Sequence, residues 1–240
     1  MRTLVVGDIH LKEYIAEEII EKESPDRVIF MGDYFDDFFD TPQLNELTAM
    51  WLKKSLVRPN RVHLMGNHDF HYLPSKSKHQ RRVFCSGYSH AKNEAINKIL
   101  THEDWSRLKY LHIEQGWWLS HAGVTRYWFE HPVTGITCDH TQQLIERELE
   151  RYTAGEFPSN LFATCKYRGG NDPVGGLLFC DWRNLDIIPG VNQIVGHTPH
   201  DEIQHKQSEH AENYCVDALP HYMIIEESKI NIKYYYQETK

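Results

Sequence analysis

The stretch Phe30-Met31-Gly32-Asp33-Tyr34-Phe35-Asp36-Asp37 constrains this chain more than any other. A short apolar run, Val28-Ile29-Phe30, reads as a buried strand; the chain then turns on Gly32 and presents carboxylates. Asp33 is thereby placed at the carboxyl end of the strand, where open α/β sheets seat their ligands. A carboxylate has two oxygens, so a single Asp at this point can bridge two metal ions. Similar strand-then-turn units are Leu4-Val5-Val6-Gly7-Asp8-Ile9-His10, Val62-His63-Leu64-Met65-Gly66-Asn67-His68-Asp69 and Ile194-Val195-Gly196-His197. A fifth, Leu119-Ser120-His121-Ala122-Gly123, follows an apolar segment rich in Trp. One such unit is weak; five in order describe a chain that gathers polar ligands at strand ends.

The rest of the sequence suits an α/β protein. Lys12 to Glu23 reads as a helix with Ile15, Ile19 and Ile20 on one face, and Pro42 opens a second helix to about Leu56, in which Leu44, Leu47, Met50, Trp51 and Leu52 are apolar. Arg61 to Met65 is a third strand, so strands and helices alternate as in βαβ units around a buried sheet. Asn93 to Leu100 reads as a helix, Leu108 to Ile113 and Trp117 to Ser120 as a strand pair, and Asp139 to Tyr152 as an amphipathic helix with Leu144, Ile145 and Leu149 inward. Thr153 to Asp181 is glycine-rich and irregular, and strands return from Val191 to Tyr235. The 240 residues are expected to form one domain, 1–240, with cap or specificity loops within 70–92 and 124–185.

A formal net charge of -8 argues against a general duplex-binding surface, which needs a basic face. Between Phe70 and Lys92, however, Lys76, Lys78, Arg81 and Arg82 occur with no acidic residue. That stretch reads either as a solvated loop or as a rim, Lys92 included, that draws a phosphorylated substrate inward. The five cysteines are odd in number and widely spaced, which suits reduced thiols in the cytoplasm better than a disulfide framework or a zinc ribbon. Residues 1 to 7 already read as the first strand, so no cleaved signal peptide is expected, and no apolar run approaches the ~18 residues that span a bilayer. A cytoplasmic protein without a membrane partner is the expectation.

Carboxylate, imidazole and amide-carbonyl ligands without thiolate suit Mn, Fe, Zn, Ni or Mg rather than a structural zinc site. Two such ions bridged by an Asp can generate hydroxide at neutral pH and clamp phosphoryl oxygens. In order, Asp8-x-His10, Gly32-Asp33-x-x-Asp36, Gly66-Asn67-His68-Asp69, His121-Ala122-Gly123 and Gly196-His197-Thr198-Pro199 resemble the five motifs of the calcineurin-like metallophosphoesterase superfamily. The resemblance implies a two-sheet β-sandwich flanked by helices, with a dinuclear centre at strand ends. By the same resemblance Asp8, His10 and Asp33 bind the first metal, and Asp33, Asn67, His121 and His197 the second. Asn67 also faces the substrate. His68, oriented by Asp36, protonates the leaving oxygen while a bridging hydroxide attacks phosphorus. Manganese is the first expectation for both ions. Asp69 is either a partner behind the ligands or a helix cap.

The Gly-His-Thr-Pro ending resembles the phosphoprotein phosphatase branch, including phage and bacterial enzymes and dinucleoside tetraphosphate hydrolases, rather than the Gly-His-x-His of many diesterases; His200 lies one position too late. Gly175 to Trp182 looks like that branch's Leu-Leu-Trp-x-Asp stretch. Two of the branch's phosphate-holding arginines are missing: Asp37 stands in one position and Met65 in the other. Arg168 is the candidate replacement, with Arg126 and Arg183 behind it.

A phosphomonoesterase, including one of the Ser/Thr protein phosphatase type, is therefore the leading expectation. A nucleotide hydrolase cleaving dinucleoside polyphosphates or phosphodiesters is the alternative, with Trp117, Trp118, Tyr127 and Trp128 as base-stacking candidates that are more often core residues. A non-catalytic scaffold is disfavoured, because every expected ligand and the His68–Asp36 pair are present.

Overall fold

Short β-branched runs ended by glycine form the strands that carry the site. A computed structural model of the chain describes residues 1–74, 85–128, 137–154 and 160–236. In chain order its elements are β1 (Arg2–Val6), α1 (Glu13–Glu23), β2 (Arg27–Phe30), α2 (Pro42–Leu56), β3 (Arg61–His63), α3 (Asn67–Phe70), α4 (His90–Ile99), α5 (His102–Ser106), β4 (His112–Glu114), β5 (Trp117–Leu119), α6 (Cys138–Thr153), β6 (Asn192–Val195), β7 (Gln204–Gln207), β8 (Glu212–Cys215), β9 (His221–Glu226) and β10 (Lys229–Tyr234). They make two five-stranded mixed sheets, in the orders β10-β9-β1-β2-β3 and β4-β5-β6-β8-β7. The expected two-sheet α/β architecture is the observed one.

In the first sheet β1, β2 and β3 are parallel, with Val6 opposite Phe30 and Phe30 opposite His63. In the second, β5, β6 and β8 are parallel. Parallel strands end on one side, so the loops after β1, β2 and β3 converge, as do those after β5, β6 and β8. Strand alternation divides the core. Leu4, Val6, Val28 and Phe30 face the helical layer with Ala16, Ile19, Ala49 and Leu52. Val5, Ile29 and Met31 point the other way, against Trp117, Leu119 and Ile194 of the second sheet. Each Val, Leu, Ile, Phe or Met among them contributes about 1.5–3 kcal/mol on burial, which keeps the strand ends where the ligands need them.

Several elements differ from expectation. Leu44, Leu47 and Met50 lie on the exposed side of α2, whose buried face is Asn45, Thr48, Ala49, Leu52, Ser55 and Leu56. Two of those small polar residues are used: Ser55 Oγ lies 2.9 Å from His63 Nε2, and Asn45 serves a site loop. The buried face of α6 is Thr141, Ile145, Glu148 and Tyr152 rather than a purely aliphatic stripe. Helix α5, capped by Thr101 and Asp104, occupies the approach to the first of the predicted strand pair, which is confined to His112–Glu114. Polar β7 carries no apolar alternation, and its pairing with β8 had no signature in the sequence.

Candidate metal centre

The first sheet delivers Asp8 and His10 after β1, Asp33 and Asp36 after β2, and Asn67 and His68 after β3. The second delivers His121 after β5 and His197 after β6. The loops are unusually bent. His10, Asp33, Asp36 and His197 all have positive φ, at 40°, 49°, 67° and 69°, a conformation that costs non-glycine residues energy and clusters at functional sites. Glycine is required beside them: a Cβ on Gly66 would fall 2.1 Å from Asp33 Oδ1, and one on Gly196 would fall 2.1 Å from Asp8 Oδ1.

Two groups of ligand atoms share Asp33. Asp8, His10 and Asp33 form one, and Asp33, His121 and His197 the other, with the ligand atoms of each group within 4.8 Å of one another. Asp33 Oδ2 is 3.8 Å from His10 Nε2 and 3.4 Å from His121 Nε2. Asn67 joins the second group, its Oδ1 lying 2.9 Å from His121 Nε2 and 2.7 Å from His197 Nδ1. The amide Nδ2 donates to Cys85 Sγ at 3.1 Å, which turns Oδ1 toward the two imidazoles. His121 Nδ1 lies 2.8 Å from the Met31 carbonyl and His10 Nδ1 2.7 Å from that of Asp36, so each ring donates from Nδ1 and turns Nε2 toward Asp33. His68 and Asp36 sit alongside, with Nδ1 2.9 Å from Oδ2.

The electrostatics call for cations. Burial pushes the Asp8 carboxyl well above the usual range, and the charges of Asp217 and Asp33 push it further. Burial disfavours a charged His121, yet Asp33 and Asp8 raise its pKa to about 10. A donor set of buried oxygens and nitrogens with excess negative charge fits divalent ions. Asp36 behaves differently. Its burial opposes ionisation, but hydrogen bonds from His68, His71 and Lys92 hold it well below the carboxylate range. Burial lowers His68, and the charge of Asp33 with the hydrogen bond to Asp36 outweigh it, leaving the pKa raised.

Asp69 fills both of its expected roles. Its Oδ2 accepts from the backbone N–H of Gly66 and of Asp33, each at 2.8 Å, and its Oδ1 from that of Tyr34 at 2.8 Å. It caps α3 and pins the Asp33 loop with one side chain. Arg168 reaches the rim, where Nη2 donates to the His197 carbonyl at 3.0 Å and to Thr198 Oγ1 at 3.2 Å. Arg126 pairs with Asp186, and Arg183 with Asp181. Trp117 and Trp118 are buried in the core and are not stacking platforms. Tyr127 is exposed and lies 3.5 Å from Asp172 Oδ2; the side chain of Trp128 falls outside the described residues, as do Lys76, Lys78, Arg81 and Arg82. Lys92 is no substrate-attracting rim residue: it is buried against Asp36 and Asp40.

Sequence reasoning missed His71, Tyr72, Lys92 and Asp217. His71 Nε2 lies 3.0 Å from Asp36 Oδ2, and the i, i+3 spacing from His68 could have found it. Asp217 follows the apolar run at the end of β8, the same signature as Asp33. Lys92 and Tyr72 are joined to Asp36 only by the fold.

Two five-stranded sheets flanked by helices, with carboxylates and imidazoles paired around a shared Asp, define a metallophosphoesterase-type protein. The sequence matches the calcineurin-like phosphoesterase family over residues 1–222, and the chain belongs to that family. It is accordingly a metal-dependent phosphoric ester hydrolase. Its fold is similar to a cold-active protein-tyrosine phosphatase of a psychrophilic Shewanella (TM-score 0.62, 14% identity, 97% of this chain and 77% of that one). It is also similar to a protein serine/threonine phosphatase from Saccharomyces cerevisiae (0.52, 12%, 100% and 81%) and to a putative diadenosine tetraphosphatase (0.51, 16%, 98% and 94%). No curated protein sequence matches the chain. Among the described residues no helix is long and apolar enough to cross a membrane.

Proposed function

We propose that the chain hydrolyses phosphomonoesters, protein phosphoserine or phosphothreonine included, at a centre of two divalent ions. Asp8, His10 and Asp33 would hold the first ion, and Asp33, Asn67, His121 and His197 the second; manganese is the first choice, and the oxygen and nitrogen donors suit Fe, Zn, Ni or Mg as well. When bound, the ions supply Lewis-acid polarisation of the phosphoryl group and acidify water. The chain's own residues do the rest. Asp36 accepts from His68 Nδ1–H and favours the imidazolium, and His68 gives its Nε2 proton to the leaving oxygen. Arg168, kept at the rim by the His197 carbonyl, grips the phosphate in place of the arginines that Asp37 and Met65 have displaced. Residues 1–240 act as one domain in this reading, with specificity loops within 70–92 and 124–185; five cysteines that form no disulfide suit a cytoplasmic setting.

The observation that supports this most is the sharing of Asp33 Oδ2 between His10 and His121. The test is hydrolysis of p-nitrophenyl phosphate against bis-p-nitrophenyl phosphate in Mn(II), with Asp33→Asn as control. Strong monoester activity that disappears in Asp33→Asn is expected; a preference for the diester overturns the assignment.

A nucleotide hydrolase is the second reading, favoured by Phe38 and Phe39. Both rings are almost wholly exposed, at 96% and 95%, directly after the Asp37 that replaces a phosphate-holding Arg. Exposed aromatics beside a phosphoryl site suit a nucleobase. Turnover of a dinucleoside tetraphosphate well above that of a phosphopeptide would decide for it.

A further inference from the structure

The parallel strands that carry Asp33 and Asn67 at their carboxyl ends have a second polar site at their amino ends. A pocket of about 340 Å³ opens there, lined by Arg27, Arg61, Val62, Arg107, Lys109 and His112 among others. Arg27 and Arg61 are the first residues of β2 and β3, and Val28 pairs with Arg61, so the two arginines stand side by side on neighbouring strands. Lys109 is fixed against the edge of β3, its backbone N–H donating to the His63 carbonyl and its carbonyl accepting from Met65. The metal centre lies at the opposite ends of these same strands.

We propose that this pocket is an oligophosphate-binding site separate from the metal centre. The cations are not equally committed. Arg61 is buried and held by both oxygens of Glu17, so it is part of the wall. Arg27 uses one guanidinium nitrogen on Glu114 at 2.8 Å, which aims the group and leaves other N–H donors for a ligand. Arg107 meets Glu103 in an exposed i, i+4 pair, which contributes little and yields readily to a stronger anion. Lys109 Nζ has no ion-pair partner among the described residues. Arg27, Arg107 and Lys109 thus present three charges around one cavity in a protein of formal net charge -8. Burial lowers the His112 pKa, and the charges of Lys109 and Arg27 lower it further against Glu114, in keeping with a positive local field. The size also selects. Pockets of roughly 300 Å³ and above accept small-molecule ligands, so a single phosphate leaves this one largely unfilled, whereas two linked phosphates offer oxygens enough for all three cations. Arginine forks suit phosphate oxygens. Inorganic pyrophosphate and a nucleoside diphosphate share that chemistry.

The test is calorimetric titration of pyrophosphate, ADP and orthophosphate into the full chain at low salt. Three variants accompany it: Arg107→Ala/Lys109→Ala, the charge-matched Lys54→Ala/Lys229→Ala, and Asp33→Asn. All four exchanged lysine and arginine side chains are exposed, and circular dichroism checks that the fold survives. Pyrophosphate is expected to bind the wild type, the charge-matched control and Asp33→Asn alike, and to bind Arg107→Ala/Lys109→Ala at least about tenfold more weakly. ADP binding with the same sensitivity names the nucleoside diphosphate as ligand; pyrophosphate without ADP names the inorganic ion. The proposal is overturned if the wild type binds no pyrophosphate, if Arg107→Ala/Lys109→Ala binds it undiminished, if orthophosphate binds as tightly, or if only Asp33→Asn abolishes binding.

Discussion

Lys92 Nζ donates to Asp36 Oδ1 at 2.7 Å, and the same ammonium reaches both oxygens of Asp40, at 3.0 and 2.8 Å. Tyr72 donates to that Asp36 oxygen at 2.6 Å, which leaves Oδ2 for His68 and His71. Asn45 closes the ring, accepting from the Asp36 backbone N–H and donating to Asp40. The carboxylate that orients His68 is thus fixed from every side.

Lys92→Met removes the one lysine or arginine of this network among the described residues and leaves the Asp36 and Asp40 carboxylates facing each other. Breaking a buried pair in this way costs about 3 kcal/mol, which for a chain of this size lowers the melting midpoint by roughly 6 to 12 °C. Turnover should fall with it, because His68 loses a fixed partner. Calorimetry checks the first effect. A variant that melts like the wild type would show that Lys92 contributes nothing to the network.

His68→Asn keeps the ligands and removes the proton donor. Both metal ions should remain by elemental analysis, while hydrolysis slows by roughly 10²–10⁴-fold for poor leaving groups and much less for p-nitrophenolate, which departs unprotonated. Equal losses for phenyl and p-nitrophenyl phosphate would remove His68 from the role of general acid.

The acid side of the stability profile should carry the signature of Glu23. Burial opposes its ionisation, but hydrogen bonds from Tyr222, Lys233 and Arg2 bring its pKa down to about 2 from 4.5. The folded value lies below the unfolded one, so the stabilisation is complete above about pH 4.5 and is lost as pH falls through 2. Glu23 joins the end of α1 to β1, β9 and β10, so Glu23→Gln should lower the melting midpoint at pH 7 and flatten its decline below pH 4.5. Parallel melting curves for the two proteins at pH 7 and pH 3 would contradict this.

Much of the site was legible because its strands are buried on both faces. Runs such as Leu4-Val5-Val6 and Ile194-Val195 stand out, and the polar residue after each terminal glycine marks a loop. The pattern marks the strand ends, and the resemblance to the five family motifs supplied the ligand set expected there. What surrounds His68 did not show. Asp36 and Lys92 are 56 positions apart, and no local pattern separates a buried lysine from the basic run before it. The face of α2 was unreadable for a related reason. Asn45, Thr48 and Ser55 point inward to serve the Asp36 loop, Glu13 and His63, and three aliphatic residues are left outside. Polar demands of the site overrode hydrophobic periodicity there.

Chelation should destabilise the fold as well as silence it. Asp8 and Asp33 belong to the ligand groups, and the charge of Asp217 adds to theirs, so stripping the ions leaves mutual repulsion inside a buried cleft. An ion present at 100 times its dissociation constant stabilises the folded chain by about 2.7 kcal/mol. Treatment with EDTA should therefore lower the melting midpoint by several degrees, and added Mn(II) should restore both midpoint and activity. Asp33→Asn weakens both ligand groups at once and should respond little to either treatment. His197→Ala removes a ligand of the second group only, and should retain part of the Mn(II)-dependent shift. A midpoint in the wild type unmoved by chelation, with metal loss verified by elemental analysis, would show that the carboxylates tolerate one another without cations.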